Sequence, residues 1–359
     1  MAKHPIEHFG QRLKAARLMA GLSLHDLADR IGHRVTRQAL FQYEKNGFKP
    51  DSHLITRICH ALGIRPDFLL RQPGTHIENL EFRKLRSLPE KARRSLSHRA
   101  SDLLGRYLEL EELLHLPSGF TLNIRHRTIR TSEQTEQVAI RLREQMNLGY
   151  GPINNVIALL EDHHVKVVEI RSPYAFAGLS ARSGESLSPI IVLNAAALPT
   201  PEEKRITALH ELGHLVLNLE GLSKKDQELR CQEFAAALLL PKAAAVEIIG
   251  RKRRNLYLSE LGDLKQRFGL PALAALIRLR DMGIIGRTLY QRLRLQLPDH
   301  SPAGKSNVWF PFVGAEESRR FRRLLLHALA EEIITMSKAS AMAGMKLAEF
   351  RDTYLRPGA

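Results

Sequence analysis

His210-Glu211-Leu212-Gly213-His214 constrains this 359-residue chain more than any other stretch. It lies inside Ile206–Leu219, a run with helical periodicity, and residues four apart on a helix share a face. Both imidazoles can therefore reach one cation, with Glu211 projecting close beside them. Two neutral imidazole nitrogens and a nearby carboxylate are the parts of a zinc-dependent hydrolytic site, in which the glutamate takes a proton from water. The plainer alternative is a helix that happens to carry two histidines. Leu209, Leu212, Val216 and Leu217 argue against it, because their apolar stripe requires burial. Gly213 also argues against it: Gly costs about 1 kcal/mol against Ala mid-helix, so close approach of another element is expected there.

The rest of the composition bounds the setting. The length fits two or three domains. Lys and Arg number 54 against 38 Asp and Glu, a formal charge of +16. A surface this basic attracts nucleic acid or an anionic membrane. No apolar run reaches the roughly 18 residues of a membrane span, and Met1–Glu7 lacks the apolar core of a secretory signal. Cys59 and Cys231 lie far apart without metal-type spacing. They are expected to be reduced and buried, in a cytoplasmic protein with no membrane partner.

His8 to Leu70 reads as a set of short helices. Phe9, Leu13 and Ala16 give the first apolar stripe, and Gly21 ends it. Ser23 with Asp26 forms a capping-box variant ahead of Leu24, Leu27, Ala28 and Ile31, and Gly32 stops that helix. Thr36 caps a third helix, Arg37–Lys45, with Ala39, Leu40 and Tyr43 inward. Arg37, Gln38, Gln42 and Lys45 face outward. Helices at Leu54–Leu62 and Pro66–Leu70 follow. Two short helices with a tight turn and a polar, cationic second member suggest a helix-turn-helix. Arg37, Gln38 and Gln42 suit base edges, and residues 1–72 hold 12 Lys and Arg against six acids. The residues Leu13, Arg17, Gly21-Leu22-Ser23, Asp26-Leu27-Ala28, Ile31-Gly32, Val35-Thr36-Arg37-Gln38-Ala39, Tyr43-Glu44 and Pro50 resemble the XRE-type, Cro/repressor-like DNA-binding domain. The resemblance implies an all-α, lambda repressor-like fold. It also implies a double-stranded DNA partner met by Thr36, Arg37, Gln38, Gln42 and Lys45, and a homodimer on paired half-sites.

Glu78–Leu116, with Phe82-Arg83-Lys84-Leu85 at its start, reads as a helical connector up to Pro117-Ser118-Gly119. Ser132–Met146 and Pro152–Glu161 are amphipathic helices. Val165–Ile170, Ala177–Ala181 and Ile190–Leu193 are β-rich, and Thr200-Pro201-Glu202-Glu203 starts the next helix. That order suits a small zincin-like α+β core. Such a sheet sets an edge strand beside the metal helix, where an extended peptide can add.

Three protein ligands are expected at a catalytic zinc. Glu220, Asp226, Glu228 and Glu233 follow His214. Glu228 starts a helix to Leu240 and shares a face with Cys231, Phe234, Ala235 and Leu238, and an inward carboxylate requires a charge or metal. Glu233 sits elsewhere on the turn and is expected to be exposed. His210–His214, Glu228–Ala235 and Leu238-Leu239-Leu240-Pro241 resemble the ImmA/IrrE metallopeptidases, with Cys231 and Gln232 where the family carries Ala and Asn. That resemblance, from about Ile153 to Asp281, implies Zn2+ on His210, His214 and Glu228 and Glu211 as the general base. It also implies a protein substrate such as a repressor or antitoxin-like partner.

Ser259–Phe268 and Pro271–Arg280 resemble the helical pair that closes the family's domain, with helix-turn-helix character of its own. After Pro298–Pro302, Phe321–Ser337 and Ser340–Phe350 read as two last helices with a core-supporting or dimer-forming role. The expected fold is multi-domain. Residues 1–72 form the DNA-binding domain, 73–118 the connector, 119–297 the metallopeptidase domain and 298–359 a helical C-terminal segment. The expected function is a DNA-binding regulator fused to a zinc endopeptidase. The alternative is a transcription factor whose zincin-like domain senses a ligand or dimerises.

Overall fold

The structure is a computed structural model. It describes residues 8–47, 50–70, 88–117, 120, 128–183, 188–297 and 310–356. The expected helix start near Phe82, most of the Pro117–Gly119 boundary and the break at Pro298–Pro302 lie outside these residues. The chain divides into two compact units, residues 1–119 with 183–187 and 319–359, and residues 120–182 with 188–318.

In the first unit, α1 (Phe9–Met19), α2 (Leu24–Arg30), α3 (Arg37–Glu44), α4 (Ser52–Leu62) and α5 (Pro66–Leu70) close round Leu13, Ala16, Leu27, Leu40, Ile58 and Leu69. The Ser23 hydroxyl accepts from Asp26 N and the Asp26 carboxylate accepts from Ser23 N, so the capping box forms as the sequence signals. Arg17 and Glu44 make a buried two-pronged pair, at 2.6 and 2.9 Å, that fastens α1 to α3. The long α6 (Glu90–Leu113) packs on α1 and on α15 (Arg320–Ala330). The two helices expected after residue 320 are three, because Glu332 and Gly344 turn to positive φ. Thr335 caps α16 (Met336–Ala343), and α17 (Leu347–Tyr354) follows Gly344. A buried Arg320–Glu111 pair holds α15 to α6.

The second unit sets helices around a three-stranded mixed sheet. β1 (Lys166–Ile170), β2 (Gly178–Ser183) and β3 (Ser188–Asn194) lie in the order β1-β3-β2. β1 runs parallel to β3, with Lys166 opposite Ile190. Four residues separate β2 from β3, too few for a parallel crossover, so those two are antiparallel. Ile190 to Leu193 are all buried, as a central strand covered on both faces requires.

α7 (Ser132–Gln145) and α9 (Pro201–Val216) start at full capping boxes on Thr131 and Thr200. α8 spans Val156–Asp162, later than the expected Pro152, because Asn155 caps it and Glu316 takes its first amides. α10 runs Lys224–Leu239, so Glu228 sits in its second turn rather than at its start. α11 (Lys242–Ile249), α12 (Leu258–Phe268), α13 (Ala272–Asp281) and α14 (Arg287–Gln296) complete the unit. Phe310–Ser318 crosses it as an irregular strap.

Candidate metal centre and DNA-facing helix

α9 and α10 pack side by side, and the contact depends on Gly213. A methyl there would lie 3.2 Å from both Cys231 Sγ and Phe234 Cδ1. This is the close approach that a mid-helix glycine implied. Cys231, Phe234, Ala235 and Leu238 are buried in the seam, which aims Glu228 at the histidines. His210 Nε2 lies 3.2 Å from Glu228 Oε2, and His214 Nε2 lies 3.2 Å from Glu228 Oε1. The two Nε2 atoms are 3.1 Å apart.

These separations test the fit of a cation. Ligand arms of about 2.0–2.1 Å meeting at a tetrahedral angle place donor atoms about 3.3 Å apart. Two imidazole nitrogens and a carboxylate converging this closely repel unless a proton or a cation sits among them. The donor set, two nitrogens and one oxygen, leaves a fourth tetrahedral position for water or substrate. The residues present therefore fit zinc.

The other candidate acids are engaged elsewhere. Asp226 accepts from the Ser223 hydroxyl at 2.6 Å at the head of α10, and Glu220 is exposed. Glu233, expected at the surface, is mostly buried: it meets the Ser132 hydroxyl at 2.8 Å and Arg230. Burial pushes its carboxyl above the usual range.

Glu211 turns away from α10 toward β2 and is 1% exposed. The Ser180 hydroxyl donates to Glu211 Oε2 at 2.8 Å. Gly178 makes room for this contact, since a methyl there would fall 2.7 Å from Thr207 Cγ2 and 2.8 Å from Glu211 Cγ. Arg182 donates to Leu215 O at 2.6 Å. Residues 178, 180 and 182 thus line one side of β2 along α9, as the two-residue period of a strand dictates. β2 is the edge strand beside the helix. Sequence reasoning missed Gly178 and Ser180, since their role depends on a register that local pattern does not encode.

In the first unit, Thr36, Arg37, Gln38, Gln42 and Lys45 are all exposed. The Thr36 hydroxyl accepts from Ala39 N at 3.1 Å, so it caps α3 as well as facing outward. Leu40 and Glu44 hold the opposite side in the core. The exposed stripe also includes Phe41, 46% accessible, with Lys45 Nζ 5.8 Å from its ring. An apolar ring among cations and amides suits a thymine methyl.

The fold and these two constellations define a helix-turn-helix unit joined to an α+β domain of metallopeptidase type. Comparison with known families agrees. Residues 13–69 match the helix-turn-helix family of XRE type, and residues 160–280 match the IrrE N-terminal-like domain of the M78 peptidases, the ImmA/IrrE group. The first match contains α3, and the second contains His210, Glu211, His214 and Glu228. Among curated proteins, the chain is similar to the SPbeta prophage-derived HTH-type transcriptional regulator YonR of Bacillus subtilis, at 40% identity over 70 residues. That match covers 20% of this chain and 61% of the relative.

Proposed function

We propose that the chain is a DNA-binding transcriptional regulator, acting in the cytoplasm, whose IrrE-like domain is a zinc-dependent endopeptidase. Residues 1–72 serve as the DNA-binding domain and 73–118 as a connector. Residues 119–297 serve as the peptidase and 298–359 as a helical C-terminal segment. Thr36, Arg37, Gln38, Gln42 and Lys45 face the duplex, and two copies engage paired half-sites. The substrate is a protein partner, such as a repressor or antitoxin-like regulator. The observation that carries the peptidase reading is the convergence of His210, His214 and Glu228 donor atoms within 4.8 Å of one another, next to a buried Glu211.

Zinc held by the three would supply Lewis acidity toward a peptide carbonyl and toward water. Glu211 takes the proton of the attacking water and delivers it to the departing amide nitrogen. Ser180 holds one of its carboxylate oxygens, so the base is oriented before substrate arrives. β2, at the sheet edge, takes the extended substrate by backbone hydrogen bonding.

The test incubates zinc-loaded protein with the products of neighbouring genes, with and without chelator, and reads cleavage by mass spectrometry. Glu211→Gln is expected to keep its zinc and to cut about 10²–10⁴-fold more slowly. Full cleavage by that variant would remove the mechanism. Zinc binding without cleavage of any partner would favour a ligand-sensing or dimerising role.

A further inference from the structure

The chain's excess positive charge is unevenly placed. Residues 73–250, which hold the metal cluster, carry 22 Lys and Arg and 22 Asp and Glu. Residues 251–297 carry 11 against three, a formal +8 that is half the chain's total.

The fold gathers five of these cations onto one face of the second unit, while Lys265 and Arg278 pair with Glu202 and Glu136 elsewhere. The turn Arg251–Asn255 runs beside Ile284–Arg287: Arg253 N donates to Ile284 O at 2.8 Å, and Arg253 bridges Ile285 in parallel. Arg292, on α14, donates to Asn255 Oδ1 at 2.5 Å. Arg253 itself is used inward, on Ile249 O, Asn255 O and Glu260, which fixes the turn. Arg251, Lys252, Arg254, Arg287 and Arg292 are exposed, and none of the five has an acidic partner among the described residues. Arg253 and Arg280, by contrast, meet Glu260 and Asp281.

A solvated charge run is the usual meaning of such residues. Here, though, three chain segments are pinned together, which keeps the exposed cations on one face and makes it attractive to an anion. Four of the five are arginines, whose planar fork matches phosphate. Asn255, Thr288, Gln291 and the 66% accessible Tyr257 stand beside them as uncharged groups of the kinds that contact a sugar–phosphate backbone. α12 and α13 form a helix-turn-helix pair closed at Gly269, yet no residue from Ala272 to Arg280 is exposed. The second helix of that pair is thus buried or half-buried throughout that span, and the face has phosphate-contacting groups without a freely exposed base-reading helix.

We infer that this face is a second double-stranded DNA contact, independent of sequence, carried by the peptidase unit itself. It goes beyond the binding assigned to residues 1–72 and needs no metal chemistry. A chain already held at DNA by its first unit presents this face to duplex at high local concentration.

The test measures anisotropy of a labelled duplex of about 30 base pairs, three helical turns, with the full chain from about 50 to 200 mM salt. The face variant combines Arg251→Gln, Lys252→Gln, Arg254→Gln, Arg287→Gln and Arg292→Gln. The helix variant combines Arg37→Ala, Gln38→Ala and Gln42→Ala. Each phosphate-bound cation contributes about 0.9 to the slope of log affinity on log salt, so the face variant, which loses five, should lose up to about 4.5 in slope and about tenfold or more in affinity. Replacing the four arginines by lysine should restore most of the slope. An unchanged slope and affinity in the face variant, with unaltered thermal unfolding, would overturn the inference. So would loss of capture by polyglutamate with DNA binding intact, which would mark an acidic protein as the partner. If the helix variant binds as the natural chain does while the face variant fails, the reading of α3 falls and this one stands.

Discussion

Gly178→Ala is the smallest change that should separate the edge strand from the metal helix. The added methyl would sit 2.7 Å from Thr207 Cγ2, 2.8 Å from Glu211 Cγ and 3.2 Å from Glu211 Oε1, against 3.4 Å at the close end of ordinary contact. None of these atoms can yield cheaply. Thr207 is β-branched on a helix and stiff at χ1, and Glu211 Cγ belongs to a buried side chain tethered to Ser180. β2 must therefore move outward. Overpacking of this kind costs about 1–3 kcal/mol, and the lower chain entropy of Ala returns about 0.4–1. The net loss is about 1–2 kcal/mol, or roughly 2–8 °C in the melting of a unit this size. Because Ser180 moves with β2, cleavage should fall further than stability, while zinc affinity holds because His210, His214 and Glu228 lie on the opposite contact. The assays are thermal unfolding, zinc competition and peptide-bond cleavage on one preparation. A variant as stable and as active as the natural chain would refute both the packing argument and the positioning of Glu211. Gly213→Ala is the internal comparison. Its clashes begin only at 3.2 Å, and Ala gains about 1 kcal/mol of helix propensity, so it should cost less.

Three further outcomes follow from named contacts. Glu228→Gln should weaken zinc more than about 100-fold in chelator competition, beyond the loss typical of residues that only support a ligand. It should also erase the zinc-dependent stabilisation, about 2.7 kcal/mol at a hundredfold excess over Kd. Glu44→Ala leaves the buried Arg17 guanidinium without its partner, at 2.6 Å in the natural chain, and should destabilise the first unit by about 3–5 kcal/mol. Denaturant unfolding reads it, and a loss under 1 kcal/mol would contradict the pairing. Burial pushes the Cys59 thiol up to about 11, so almost no thiolate exists near neutrality. A maleimide should leave Cys59 unlabelled in native protein and label it promptly in denaturant.

How much of this was legible in the sequence depended on the reach of each signal. Ser23, Thr36 and Thr200 announce helix starts because a cap acts within three residues, and all three cap as expected. The histidine pair was legible for the same reason, four residues being one helical turn. Glu228 was legible at longer range only because Cys231, Phe234 and Leu238 mark the buried face of its own helix. Ser180 carries no such mark. Its neighbours Ala177–Ala181 announce a strand, but which side meets α9 is decided by pairing with β3. Glu316 is further out of reach, since it meets Arg205 across 111 positions. The breaks at Glu332 and Gly344 did have local signals, Thr335 as a cap and Gly344 as a left-handed stop. The apolar periodicity running through them masks those signals in the sequence.

The geometry of the two imidazoles rests on what holds α9 rather than on the motif alone. Each turn of the helix is tied to a different element. Glu202 accepts from Phe312 N of the strap at 3.1 Å, and Lys204 meets Glu169 of β1 at 3.0 Å. Arg205, wholly buried, donates to Gly269 O at 2.9 Å and to Glu316, whose carboxylate also caps α8. Further along, Glu211 meets β2 through Ser180, and Gly213 lets α10 in. A helix free to roll would carry both imidazoles away from Glu228, which lies 3.2 Å from each of them on α10. Bound to strap, sheet and neighbouring helices along its length, α9 is held in the register that keeps both imidazoles beside Glu228, where a cation would join them. Rigid support of this kind separates a site that holds its ligand geometry in advance from a pair of histidines that merely share a helix face.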